Sequence, residues 1–245
     1  MPESSRGNGE ASGLARRGPG QQSLLTYAVL TGLTPLIPIP FVDDLAKAYF
    51  RRRLVRKLAA GHGVPLSREE VEALTAEPGG CLLSGCLGQL VLYPLKKIFR
   101  KIFYFLEWKR ALDLTSQSYH FGYLVDCALA DGYLGPSSPH RVEAVRQAIH
   151  TVCAQTPIKP IEGAVGGAFR QSKSAIRNTL SLLERTLRRL TGRPQPAEVS
   201  AALNEVEAQE SEAVRGVVEN LQRRMQTIPQ AHFDRMRQLL RQHLA

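Results

Sequence analysis

Between Arg17 and Asp43 the chain carries no charged side chain, and the apolar part of that stretch, LLTYAVLTGLTPLIPIPFV, fills residues 24–42. A segment this free of charge has to be buried, in protein or in lipid, and that requirement restricts the fold more than any other feature. A helix that crosses a bilayer needs ~20 apolar residues. Here Pro35, Pro38 and Pro40 interrupt the second half of the stretch. A second uncharged stretch, PGGCLLSGCLGQLVLYPL, lies between Glu77 and Lys96 and contains Pro94. Cations follow both: Arg51, Arg52, Arg53, Arg56 and Lys57 after the first, Lys96, Lys97, Arg100 and Lys101 after the second. Two consecutive spans would place these clusters on opposite sides of a membrane, against the positive-inside bias. Three readings stay open: peripheral or re-entrant segments, interior helices of a soluble bundle, or true spans.

Elsewhere apolar residues recur at helical spacing. From Val165 onward, Phe169, Ile176, Leu180, Leu183, Leu187 and Leu190 form one stripe, with Arg170, Arg177, Arg185 and Arg188 away from it, and Gly192 and Pro194 end that helix. A second helix is predicted over 197–227, and Pro229 separates it from a last one carrying Phe233, Met236, Leu240 and Leu244. Ser138 followed by Pro139 predicts the start of a further helix, with Val142, Val145, Ile149 and Val152 on its apolar side. Few segments alternate with a period of two, so the fold class is all-α: a helical bundle with an apolar, re-entrant or interfacial N-terminal half. Residues 1–23, rich in Gly, Ser and charge, read as a disordered tail. Residues 24–135 then form a membrane-proximal helical domain, and 136–245 a C-terminal helical bundle.

The formal charge of +10 draws the chain toward phosphate-bearing partners, nucleic acid or anionic lipid. That charge comes in alternating blocks. Residues 166–195 are strongly basic and 196–220 strongly acidic, which predicts that the two faces neutralise one another. Cys81, Cys86, Cys127 and Cys153 show no zinc-ligand spacing and read as reduced thiols of a cytosolic protein.

Residues 94–108, PLKKIFRKIFYFLEW, carry the sharpest pattern. On a helix Lys96, Lys97, Arg100 and Lys101 share one arc, with Tyr104 and Trp108 beside them, and Leu95, Ile98, Phe99, Ile102, Phe103, Phe105 and Leu106 occupy the opposite arc. A membrane-surface helix has this arrangement, with cations at headgroup level and bulky apolar groups in the acyl boundary. Each cation near an anionic leaflet contributes ~1 kcal/mol. The expected membrane-binding residues are therefore Lys96, Lys97, Arg100, Lys101, Phe99, Ile102, Phe103 and Trp108. The plainer reading is a core helix with a solvated polar face.

The run GLTPLIPIPFVDDL at 32–45, followed by RLVRKLAAGHGVPLSREEVEAL at 53–74, resembles the helical domain of unknown function found behind Era-like GTPase domains and in some bacterial inner-membrane proteins. Pro38, Pro40, Asp43, Gly63, Pro65, Ser67 and Glu70 carry the resemblance. It implies a membrane-associated regulatory or scaffold-like domain. The chain has no G-x-x-x-x-G-K-[ST] motif, so a GTPase partner would act in trans. The same residues have a local reading: Asp43 and Asp44 cap a helix and complement its dipole, Gly61 and Gly63 stop it, and Ser67 with Glu70 makes a capping box. A second stretch, LADGYLGPSSPHRVEAV at 129–145, is similar to the Asp-Gly loop of tellurite-resistance-type helical domains, with Ser, Pro and His where that loop's acids would follow. No metal is therefore expected at Asp126 or Asp131.

No HExxH, GxSxG, Rossmann glycine pattern or paired zinc-ligand motif is present, and the six histidines are scattered. The expectation is a non-enzymatic protein without cofactors, cytoplasmic and docked on the inner face of a membrane, with an anionic lipid surface as partner and a scaffold or regulatory role. The first alternative is a soluble α-helical interaction protein with buried apolar segments. The second is a basic nucleic-acid-binding protein, ranked last because the aromatics of 95–108 face away from the cations.

Overall fold

The computed structural model describes residues 19–37, 39, 42–76, 100–190, 194–209 and 211–245. Among them the chain is all-α, without a strand. Its helices are α1 (Pro19–Leu33), α2 (Val42–Gly61), α3 (Arg68–Thr75), α4 (Arg100–Ala130), α5 (Val142–Gln155), α6 (Lys159–Gln171), α7 (Lys173–Leu187), α8 (Pro196–Gln209), α9 (Ser211–Met225) and α10 (Gln230–Leu244), and a short 3-10 turn, Thr34–Leu36, follows α1.

The first uncharged block is the hub. α1 packs chiefly on α4 and α2 and then on α9, burying Leu24, Leu25, Ala28, Val29, Leu30 and Leu33. Each such leucine contributes about 1.5–3 kcal/mol by leaving water. The two buried threonines of this region satisfy their hydroxyls locally: Thr31 Oγ1 donates to the Tyr27 carbonyl at 2.7 Å and Thr34 Oγ1 to the Thr31 carbonyl at 2.8 Å. Among the described residues no helix is long and apolar enough to cross a membrane. The second uncharged block, with Cys81 and Cys86, lies outside the described residues, as do Pro38 and Pro40.

Helix ends follow the sequence signals closely. Ser67 Oγ accepts from the Glu70 N–H at 3.1 Å while the Glu70 carboxylate accepts from the Ser67 N–H at 2.7 Å, the reciprocal capping box of α3. Beyond α2, Gly63 takes a left-handed φ of 67°. The Val64 N–H then reaches back to the Ala59 carbonyl at 2.9 Å and the Gly63 N–H to that of Ala60 at 3.1 Å. Gly132, with φ 76°, ends α4 by the same pattern of bonds.

Four expectations change. α1 opens at Pro19, inside the expected tail 1–23, with a proline at the first helical position where its missing N–H costs nothing. Ser138 and Pro139 do not start a helix. The Ser138 hydroxyl donates to the Tyr133 carbonyl and accepts from the His140 N–H, which keeps the chain in a loop until Val142. The single stripe from Val165 to Leu190 is two helices, α6 and α7, broken at Ser172 (φ −110°, ψ 24°), whose buried hydroxyl is held by the Asn220 side-chain amide of α9 at 2.7 Å. Finally, the core runs across the expected division at residue 135. Buried residues from both sides form one cluster, with α9 on α1, α8 on α2, α5 on α3, and α6 and α10 on α4.

Candidate functional site

The pattern that drew attention in the sequence maps to the start of α4. Lys96, Lys97 and Phe99 lie outside the described residues, and at Arg100, Lys101, Ile102 and Phe103 the backbone is helical. From residue 106 on, the side chains sort clearly. Ala111, Thr115 and Ser118 are buried, and Leu106, Lys109, Arg110 and Gln117 face solvent. Among the described residues Leu106 alone of the large apolar side chains is exposed, at 53%.

Trp108, expected at the edge of the membrane-binding face, instead packs on the core. Its ring meets the fully buried ring of Phe169 in α6 edge to face, with centroids 5.7 Å apart. Such a pair is worth about 0.5–1.5 kcal/mol beyond its buried area. It fixes the start of α4 against the end of α6, so Arg170 and Lys173 follow directly from the residue that receives Trp108.

Two of the basic residues of α2, Arg53 and Arg51, are engaged by the fold. Arg53 Nε donates to both oxygens of Glu207 in α8, at 3.1 and 2.9 Å, and Tyr27 Oη donates to the same carboxylate at 3.2 Å. Burial first, and then the Glu207 charge, pushes the Tyr27 hydroxyl up to about 12. The Arg51 guanidinium lies 4.1 Å from the ring centre of Phe121. Asp43 and Asp44 stand in the first turn of α2, where they complement its dipole, and with Lys47, Arg110 and Asp113 they line a polar cleft of 280 Å³ between α2 and α4.

Mutual neutralisation of the 166–195 and 196–220 faces is not what the fold achieves. Among the described residues the one ion pair joining them is Arg189 to Glu205 at 3.8 Å. Glu207 turns to Arg53 instead, because α8 meets α7 with its apolar side and leaves the α7 cations facing outward. Arg170, Lys173, Arg177, Arg185, Arg188 and Arg189 are all exposed. That Arg170, Arg177, Arg185 and Arg188 lie away from the apolar stripe was readable in the sequence; the direction they face depends on how α8 docks and was not.

The acids of the Asp-Gly loop are committed to protein partners. Asp126 Oδ1 lies 2.7 Å from His62 Nε2, and Asp131 accepts from Arg237 Nε at 3.1 Å and Arg241 Nε at 3.0 Å. Hydrogen bonds from Arg237 and then Arg241, working against burial, hold the Asp131 carboxyl down to about 2. Among the described residues no group of three or more His, Cys, Asp or Glu is placed to hold a metal ion. Burial pushes the thiols of Cys127 and Cys153 up to about 11, so neither is a ready nucleophile at neutral pH.

No family model, curated protein or solved structure matches this chain.

Proposed function

We propose that this protein is a non-enzymatic helical module that docks peripherally on an anionic membrane surface through the first turns of α4 and serves there as a scaffold or regulatory partner. The observation that carries this reading is Leu106, exposed at 53% and followed by exposed Lys109 and Arg110. In the sequence Leu106 shares its helical arc with Phe99, Ile102 and Phe103. An apolar side chain held in water beside two cations is the local chemistry of an interfacial helix, with the aliphatic group for the acyl boundary and the cations for the headgroups.

Sedimentation of the full chain with phosphatidylserine vesicles at low salt tests the reading. Binding is expected, with loss on Leu106→Asp and on joint replacement of Lys96, Lys97, Arg100 and Lys101 by Glu. Absence of binding by the natural chain sinks it and leaves the second reading, an interaction protein whose apolar segments are interior, which the burial of Leu24, Leu25, Ala28, Val29, Leu30 and Leu33 favours.

A further inference from the structure

α6 ends with Phe169, Arg170 and Gln171, and α7 begins at Lys173. Phe169 receives the Trp108 ring; Arg170 and Lys173 come next in the chain after the one, and Lys109 and Arg110 after the other. Arg170, Lys173, Arg177 and Arg185 are exposed, and among the described residues none of the four has an ion-pair partner. The single carboxylate on α7, Glu184, is taken by Arg188, whose Nε donates to it at 2.9 Å. On a helix Lys173, Arg177, Arg185 and Arg188 share one arc, set apart from the buried Ile176, Leu183 and Leu187. From Lys173 to Arg185 the ridge runs ~18 Å at 1.5 Å per residue.

The stretch from Arg170 to Arg177 faces outward with no ion-pairing acid among the described residues, and the fold displays no structural use for its charge. Across the Trp108–Phe169 contact lies α4, with its exposed Leu106, Lys109 and Arg110. We propose that Arg170, Lys173 and Arg177 form a second phosphate-binding patch for the headgroups of an anionic membrane, so that the protein sits on the surface through α4 and α7 together. This inference rests on the docking reading above and adds to it a second helix. Lipid is favoured over nucleic acid by two observations. The aromatic ring at this corner, Trp108, is turned onto Phe169 and is not offered for base stacking. The exposed neutral group beside the cations is aliphatic Leu106, for which a duplex has no use.

The test is sedimentation of the full chain with vesicles of phosphatidylcholine plus phosphatidylserine, and of phosphatidylcholine alone. The variants are Leu106→Asp, a patch variant (Arg170→Gln, Lys173→Gln, Arg177→Gln), and a control that removes equal charge elsewhere (Arg68→Gln, Arg141→Gln, Arg215→Gln). Thermal melts confirm that each variant folds. With about fivefold per cation, the patch variant should bind the serine-containing vesicles about 100-fold more weakly than the natural chain, and the control should change far less. Equal loss in patch variant and control overturns the proposal, because net charge then suffices. Unchanged binding by the patch variant, with loss in Leu106→Asp, overturns it while the α4 reading stands. No binding by the natural chain removes both, and a labelled duplex that binds through the patch in that case assigns the ridge to nucleic acid.

Discussion

Gly32 of α1 and Thr115 of α4 face each other so closely that a methyl group added to the glycine would meet the threonine Cβ at 2.7 Å and the Ala111 carbonyl oxygen at 2.9 Å. The second of these is backbone and cannot rotate away. Gly32→Ala should therefore push α1 off α4 and lower stability by about 1–3 kcal/mol, seen as a drop in melting temperature. Gly163, within α6, has nothing within 4 Å of the same added atom. Gly163→Ala should instead raise stability by about 0.5–1 kcal/mol through helix propensity. Equal effects from the two substitutions would contradict the close packing of α1 on α4.

Asp131 joins the end of α4 to α10 through two arginines, Arg237 and Arg241. Its carboxyl titrates at about 2 in the fold against an ordinary 3.8, so the unfolded chain binds the proton first as pH falls. The stabilisation is complete above pH ~4 and disappears as pH drops through about 2. Asp131→Asn should cost about 1–2 kcal/mol at neutral pH, allowing for the solvent exposure of both arginines. Denaturant melts from pH 7 to 2 should show the gap between the two proteins closing only below pH ~4.

His120 is 1% exposed, and burial, with His232 nearby, pushes its imidazole down to about 4. Between the ordinary histidine value of 6.5 and about 4 the unfolded chain binds a proton that the folded chain does not. Stability should therefore be full above pH ~6.5 and fall by about 2–3 kcal/mol as pH drops to ~4. His120→Gln should flatten that slope, and a slope identical to the natural protein's would place the titration elsewhere.

Ser67 closes the capping box of α3 at an exposed position. Ser67→Ala should cost about 1 kcal/mol. Hydrogen exchange should localise the loss to the first turn of α3, with α1 and α4 unchanged.

The all-α class, the helix ends at Gly63 and Ser67, and the apolar face of α10 were readable because each depends on residues within a turn of one another. Phe233, Met236, Leu240 and Leu244 recur at helical spacing and are all buried. What escaped the sequence depends on distant partners. The break at Ser172 is held by Asn220, and the fate of Glu207 is decided by Arg53, 154 residues away. Trp108 read as an interfacial aromatic because its local neighbours are cations, and Phe169, which receives it, is invisible to any local window. The uncharged stretch had to be buried in something, and for its helical part, α1, the partners are α4, α2 and α9. At the candidate site, Leu106 and the outward turn of Arg170, Lys173 and Arg177 could be seen only once the packing of α4, α6, α7 and α8 was known.

The central position of α1 has a consequence for synthesis. This helix leaves the ribosome well before α9, one of its packing surfaces, and the Tyr27 hydroxyl waits for a carboxylate 180 residues downstream. Until α9 is made, one side of the greasiest helix in the described chain stays open to whatever else is in the cell. Nascent chains stalled before α9 should bind chaperones, and chains extended past α9 should be released from them.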